Sequence, residues 1–172
     1  MRETFHRLAP YYDRLLDAQS LGLHRYWRRI LVRIMSPRPG QRILDLAGGR
    51  GEMAKRIAAP DRRVIVLEPS IPMISAGRSN GTGDLSWVAG LTRALPFTDA
   101  SMDAVVCAFG VRNVTYVEAA LKEVLRVLKP GARFYCLVSV QTPVSICPQR
   151  HSALLSGGSW QNRSGITPAA LT

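Results

Sequence analysis

One feature restricts the fold of this chain more than any other: short, almost wholly apolar segments alternate with segments of helical period. Arg42–Leu46, Arg63–Leu67, Met102–Ala108 and Arg133–Val138 each read as a strand with aliphatic side chains on both faces, and Leu85–Ala89 reads as a weaker one. Between them lie a predicted helix over Glu52–Ala59, another near Met73–Ala76, and a third over Val117–Leu128 with Ala120, Leu121, Val124 and Leu128 on one side. A strand that is apolar on both faces must be covered on both faces, and the helices between strands supply the cover. Right-handed crossovers then give a doubly wound α/β sheet of Rossmann-like type, whose ligands sit at the carboxyl ends of the strands.

Around that core, residues 41–140, the chain divides further. Residues 1–40 are expected to form a helical lid. Trp27, Ile30, Leu31 and Ile34 fall at i, i+3, i+4 and i+7, Arg25, Arg28, Arg29 and Arg33 occupy the other side, and Pro37 and Pro39-Gly40 stop the helix. Residues 141–172 carry no acidic residue and are rich in Ser, Gly, Pro, Thr and Gln. They are expected to be an irregular or disordered tail, or the product of a lost reading frame.

Charge and cysteines narrow the class. With 23 Lys and Arg against 12 Asp and Glu, the net charge is +11, which favours anionic partners such as an acidic membrane surface. No aromatic stacking signature accompanies that charge, so a nucleic-acid partner is not expected. Cys107, Cys136 and Cys147 form no CxxC pair, which argues against a zinc site or a disulfide framework, and no metal is expected. The chain has no apolar run long enough to span a bilayer and no secretory signal at its start, so a cytoplasmic, at most membrane-peripheral, location is expected.

The chemistry concentrates in Asp45-Leu46-Ala47-Gly48-Gly49-Arg50-Gly51, between the first strand and the next helix. Glycines there allow a ligand close to the backbone. Glu68 ends the second strand, where a carboxylate can take both hydroxyls of a ribose. Gly49-Arg50-Gly51-Glu52-Met53-Ala54 also reads as GxGxxA, a dinucleotide fingerprint. Asp45 points elsewhere, because a carboxylate beside the loop repels a pyrophosphate and attracts a ligand with an amino group and a sulfonium. S-adenosylmethionine is therefore preferred over NAD.

These residues, with several other stretches, resemble the UbiE/MenG ubiquinone/menaquinone C-methyltransferases, a family of class I methyltransferases. Tyr12-Asp13 and Ser20-Leu21-Gly22-Leu23-His24-Arg25-Tyr26-Trp27 resemble its N-terminal signature. Ala94-Leu95-Pro96-Phe97, Phe109-Gly110-Val111-Arg112-Asn113-Val114 and Arg126-Val127-Leu128-Lys129-Pro130-Gly131 resemble its later motifs. The likeness runs over residues 5–138. Against the family pattern, Arg50 stands for Thr, Leu91-Thr92 for Asp or Asn followed by Ala, and Ala108 for Ser. The family's C-terminal antiparallel hairpin is expected to be missing, which would leave the fifth strand as an open edge prone to pairing with a second chain.

The resemblance implies S-adenosylmethionine as cofactor and a prenylated benzoquinol or naphthoquinol as methyl acceptor. It implies a cofactor site of Asp45, Gly48, Gly49, Arg50, Gly51, Glu68, Leu91 and Thr92. Within it, Arg50 either pairs with the methionine carboxylate or repels the sulfonium, and Leu91 removes a side-chain acceptor for adenine. Arg112 and Asn113 would stabilise a phenolate oxygen on the acceptor; otherwise Arg112 pairs with a local acid and Asn113 caps the following helix. His24 and Tyr12 would line the lid, with His24 suited to act as a base. Two further readings remain open: a methyltransferase with another small-molecule acceptor, and an inactive chain that binds S-adenosylmethionine or joins an assembly.

Overall fold

The computed structural model describes residues 23–81, 85–139 and 152–155. Helix α1 (Leu23–Met35) precedes β1 (Arg42–Leu46), α2 (Glu52–Ile57), β2 (Arg63–Glu68), α3 (Ile71–Ser79) and β3 (Ser86–Ala89). There follow β4 (Met102–Ala108), a 3₁₀ turn (Val111–Asn113), α4 (Val117–Val127), β5 (Leu128–Ser139) and β6 (Ser152–Leu155). The sheet order is β3-β2-β1-β4-β5-β6. The first five strands are mutually parallel, as their two-sided apolar character requires.

Two cores lie on opposite faces of the sheet. Leu31 and Met35 of α1 and Met53, Ala54 and Ile57 of α2 pack on Ile43, Val64, Val66, Val106 and Leu137. Val124 and Val127 of α4 pack on Leu44, Leu46, Ile65, Leu67, Val105 and Cys107. Alternate residues of β1, β2 and β4 thus feed alternate cores, the period of two expected of a strand. Because β1 has β2 on one side and β4 on the other, the chain reverses its winding between β1 and β4. The carboxyl ends of those strands open onto that switch point.

Three details differ from the sequence expectation. First, β5 begins at Leu128, ahead of the Pro130-Gly131 turn. Met102 pairs with Leu128 and Ala104 with Arg133, and the intervening residues form an irregularity with Gly131 at φ 76°. Second, the segment 141–172, expected to be irregular, contributes β6. Leu155, Leu154, Ala153 and Ser152 pair antiparallel with Cys136, Leu137, Val138 and Ser139. The unpaired edge of β5 is a template that overrides weak local propensity, and its pairing with β6 closes there the open edge expected of the fifth strand. A second strand that would make β6 a hairpin is not found among the described residues.

The third difference concerns α1. Its buried residues are His24, Arg28, Leu31 and Met35, whereas Ile34 is 43% exposed. The inward stripe is therefore turned toward Arg28, which the sequence reading placed on the outer side. Leu31 and Met35 set the seam by entering the first core. Arg28 is accepted inside because its guanidinium carbon lies 5.6 Å from the centroid of the Phe109 ring and within electrostatic range of the carboxylates of Asp45 and Glu52. Cys107 and Cys136, partners in the β4–β5 ladder, are both buried free thiols. Burial pushes the Cys136 thiol up to about 11 and that of Cys107 higher still.

Candidate cofactor and acceptor site

The turn from β1 into α2 takes an unusual backbone path. Ala47, Gly49 and Gly51 all have positive φ, at 53°, 58° and 75°. Gly48 is held close beneath the turn: a Cβ there would stand 2.7 Å from Val66 Cγ1 and 2.8 Å from the Asp45 carboxyl. Gly49 is the opposite case, with no atom within 4 Å of a hypothetical Cβ. One glycine is required by packing and the other leaves a face on which a ligand can approach the main chain.

Glu68 fastens this loop. One carboxylate oxygen accepts the Gly49 N–H at 3.0 Å and the other accepts the Ser70 N–H at 3.0 Å. Each oxygen keeps a second lone pair, so both can still accept from a vicinal diol. Burial raises the Glu68 pKa against the pull of those two amides. The β3 register sets Ala89 beside Glu68, so Leu91 and Thr92 follow directly on the same side of the site. The Leu91 side chain is exposed.

Asp45 lies under the loop, 1% exposed. Its Oδ2 accepts the Ala54 N–H at 3.0 Å, while Oδ1 is buried without a hydrogen-bond partner among the described residues. Burial pushes its pKa up to about 7, with the negative charge of Glu68 adding to the effect and the Ala54 amide and Arg28 opposing it. An unsatisfied buried carboxylate oxygen next to an open glycine face suits a ligand that brings a cation or a donor.

The end of β4 closes the far side. Phe109 has φ 64°, an uncommon conformation for a bulky residue, and its N–H donates to Leu137 O at 2.8 Å. A Cβ on Gly110 would lie 3.0 Å from both Cβ and O of Ala47, so the β1 and β4 turns abut. Arg112 and Asn113 follow in the 3₁₀ turn with exposed side chains. No side-chain bond caps α4, so Asn113 does not serve that structural role.

Sequence reasoning thus placed Asp45, Gly48, Gly49, Gly51 and Glu68 on one connected turn, with Arg50 in it and Leu91-Thr92 beside it. Arg112 and Asn113 stand at the neighbouring strand end. His24, 5% exposed, lines a cavity of about 270 Å³ with Arg25, Arg28, Glu52 and Arg56. Tyr12 lies outside the described residues. Sequence reasoning missed Arg28, for which the spacing of His24, Arg28, Leu31 and Met35 was the signal to follow. It also missed the role of Arg126. That guanidinium donates to the carbonyls of Phe97 at 2.8 Å and Leu95 at 2.9 Å and to both oxygens of Glu123 at 2.8 Å. Glu123 in turn accepts the Leu95 N–H at 2.7 Å, and the Arg126 hydrogen bonds hold its carboxyl below the usual range. The segment after Leu91-Thr92 is thereby tied to α4.

A parallel sheet with its switch point at β1/β4, a glycine turn latched by an acid at the end of β2, and a buried carboxylate below define the class I methyltransferase fold. Residues 1–154 match the ubiE/COQ5 methyltransferase family, and the chain belongs to that family. Over 137 residues it is 46% identical to the ubiquinone/menaquinone biosynthesis C-methyltransferase UbiE of Rubrivivax gelatinosus, covering 80% of this chain and 55% of that protein. It is 36% identical to the mitochondrial 2-methoxy-6-polyprenyl-1,4-benzoquinol methylase of Danio rerio, covering 78% and 54% respectively. The chain thus spans about half the length of these curated relatives. Among solved structures, it is similar to a chain of the "complex between the Haloferax volcanii Trm112 methyltransferase activator and the putative methyltransferase". That match has a TM-score of 0.67 at 27% identity and covers 78% of this chain and 59% of the other. Family and fold imply S-adenosylmethionine as the cofactor. The unsatisfied Asp45 oxygen, the open face at Gly49 and the spare lone pairs of Glu68 fit it.

Proposed function

We propose that this chain is the cofactor-binding and acceptor-facing part of an S-adenosylmethionine-dependent C-methyltransferase acting on a prenylated benzoquinol or naphthoquinol. The observation that carries the reading is the Glu68–Gly49 latch above the buried, partly unsatisfied Asp45. When bound, S-adenosylmethionine supplies an electrophilic methyl group on a sulfonium. Glu68 accepts the ribose hydroxyls, and the Gly48–Gly51 turn lies along the amino-acid portion. Asp45 favours the cationic end of the ligand through its negative field. Arg112 and Asn113, at the end of β4, hold the oxygen of the ring to be methylated and favour its phenolate form, which raises electron density at the attacked carbon. His24 and Tyr12 belong to the lid that excludes water.

The outer side of α1 supports contact with the membrane in which such an acceptor dissolves. Leu23, Tyr26 and Ile34 are exposed there, next to the ladder of Arg25, Arg29 and Arg33 at four-residue spacing. No described helix is itself long and apolar enough to cross a bilayer.

Calorimetric titration with S-adenosylhomocysteine and NADH in parallel tests the cofactor assignment, and tighter NADH binding would overturn it. Transfer of labelled methyl to a short-tailed demethylated quinol tests the reaction. Cofactor binding with no transfer would favour the binding-only reading. Sedimentation with anionic and zwitterionic vesicles tests the membrane contact, and equal retention on both would refute the arginine ladder's part.

A further inference from the structure

Trp87, the second residue of β3, stands against the cofactor turn from the edge of the sheet. Its backbone pairs with Val66 of β2, and its ring packs on the first core. The outer edge of that ring meets two glycines from different elements. A Cβ on Gly51, the last residue of the turn, would stand 2.9 Å from Trp87 Cη2 and 3.1 Å from Cζ2. A Cβ on Gly77 of α3 would overlap the same Cη2 and lie 2.8 Å from Cζ2. It would also lie 3.0 Å from the carbonyl oxygen of Arg50, so α3 and the turn meet at this point.

The contact is kept at a cost on both sides. Gly77 lies within α3, where glycine is a poorer helix former than alanine. The ring and the Arg50 carbonyl exclude alanine there. Trp87 Nε1 is buried with no hydrogen-bond partner among the described residues, although a buried indole N–H ordinarily has one. An indole held without its hydrogen bond, between two positions that carry no side chain, acts as a spacer. Glu68 fixes the turn at Gly49, and the ring bears on it two residues later, at Gly51.

We propose that Trp87 is a positioning residue for the cofactor: its ring, clasped between Gly51 and Gly77, sets where the Arg50–Gly51 end of the turn stands and so fits the turn to the amino-acid portion of S-adenosylmethionine. This rests on the reading of the Glu68–Gly49 turn as the cofactor site, with the ribose at Glu68 and the amino-acid portion along Gly48–Gly51. Trp87 acts through the main chain of the turn. A shorter side chain leaves a gap beside Gly51, and packed interiors close such gaps by moving what borders them. The ribose end is held independently, because Glu68 belongs to β2 and is fastened to the Ser70 N–H. Loss of the ring therefore acts on one end of the ligand and spares the other.

The test uses two ligands that differ in the amino-acid portion. S-adenosylhomocysteine and 5′-methylthioadenosine, which keeps the adenosine and the thioether sulfur, are titrated calorimetrically into wild type, Trp87→Phe, Gly77→Ala and the double variant. Thermal melts establish that each is folded. Trp87→Phe, which also removes the unpartnered N–H, should weaken S-adenosylhomocysteine by about tenfold, the loss of one hydrogen bond to a charged group, and change 5′-methylthioadenosine by less than about twofold. Gly77→Ala approaches the same contact from α3 and should also weaken S-adenosylhomocysteine by about tenfold while the indole is present. In the Trp87→Phe background it should add less than about twofold, because the shorter ring leaves its Cβ room. Wild-type discrimination between the two ligands in Trp87→Phe would overturn the proposal. So would equal weakening of both ligands, which would show a general structural role, or effects of the two substitutions that simply multiply. Failure of wild type to bind S-adenosylhomocysteine would overturn the cofactor site and the proposal with it.

Discussion

Replacing Asp45 by Asn should stabilise the protein, and by an amount that depends on pH. The buried carboxyl has its pKa pushed from 3.8 to about 7 in the folded chain, chiefly by burial. A carboxyl whose folded pKa is raised contributes stability that is fully present below its unfolded pKa and is lost as pH rises through the folded one. The difference of about three units corresponds to about 4 kcal/mol in all, at 1.36 kcal/mol per unit, of which about 3 kcal/mol is lost between pH 5 and pH 8. The amide introduced by Asp45→Asn keeps an acceptor for the Ala54 N–H and carries no charge, so the variant's stability is free of this loss. Glu68, also raised by burial, titrates in both proteins, and most of its contribution cancels in the difference. Urea unfolding of the two proteins at pH 5, 6, 7 and 8 and constant ionic strength gives the difference directly. It should move in favour of Asp45→Asn by about 3 kcal/mol across the series. A difference that stays constant within about 0.5 kcal/mol would refute the account of Asp45 as a buried, poorly compensated charge.

Glu68→Ala should weaken S-adenosylhomocysteine by about 1.5–3 kcal/mol in a calorimetric titration, because it removes hydrogen bonds to a charged group and frees the Gly49 amide. Gly48→Ala should destabilise the fold by about 1–3 kcal/mol in thermal melts, as its Cβ would be forced against Val66 and Asp45. Arg126→Ala should lower the Tm and expose the segment around Leu95–Asp99 to limited proteolysis, and unchanged cleavage there would remove Arg126 as the tie. If the chain is active, Arg112→Ala should lower turnover by about 10²–10³ with little change in cofactor affinity, as measured by labelled methyl transfer.

Where periodicity and burial agreed, the sequence was legible. Strands such as Ile43-Leu44-Asp45-Leu46 and Val64-Ile65-Val66-Leu67 carry apolar residues on both faces, and only a sheet with two covered sides satisfies them. Asp45 and Glu68 could be placed because strand ends in such a sheet have fixed positions relative to the switch point. Two kinds of information were hidden. The face of α1 was misjudged because Trp27, Ile30 and Ile34 are as apolar as Leu31 and Met35. The choice between stripes was made by the core and by the ring of Phe109, a residue far from α1 in the sequence. Likewise Ser152–Leu155 has no convincing strand pattern of its own, and its pairing depends on the edge that β5 presents.

The GxGxxA reading of Gly49–Ala54 shows how geometry resolves what a motif leaves ambiguous. In a dinucleotide site the first turn and the helix after it serve a pyrophosphate, and the surrounding field should be positive or neutral. Here α2 is only six residues long, and the N–H of Ala54 in its first turn is given to Asp45. That amide is already taken, and the carboxylate that takes it adds an opposing charge under the loop. The Gly49 amide is likewise given to Glu68. Two of the donors a pyrophosphate would need are held by acids of the protein itself. Such a distribution repels a double phosphate centred on the turn. It leaves room for a ligand with a diol at Glu68 and a cation near Asp45. The same glycine spacing therefore suits a sulfonium amino acid better than a pyrophosphate here, because the acids around it have already claimed the amides.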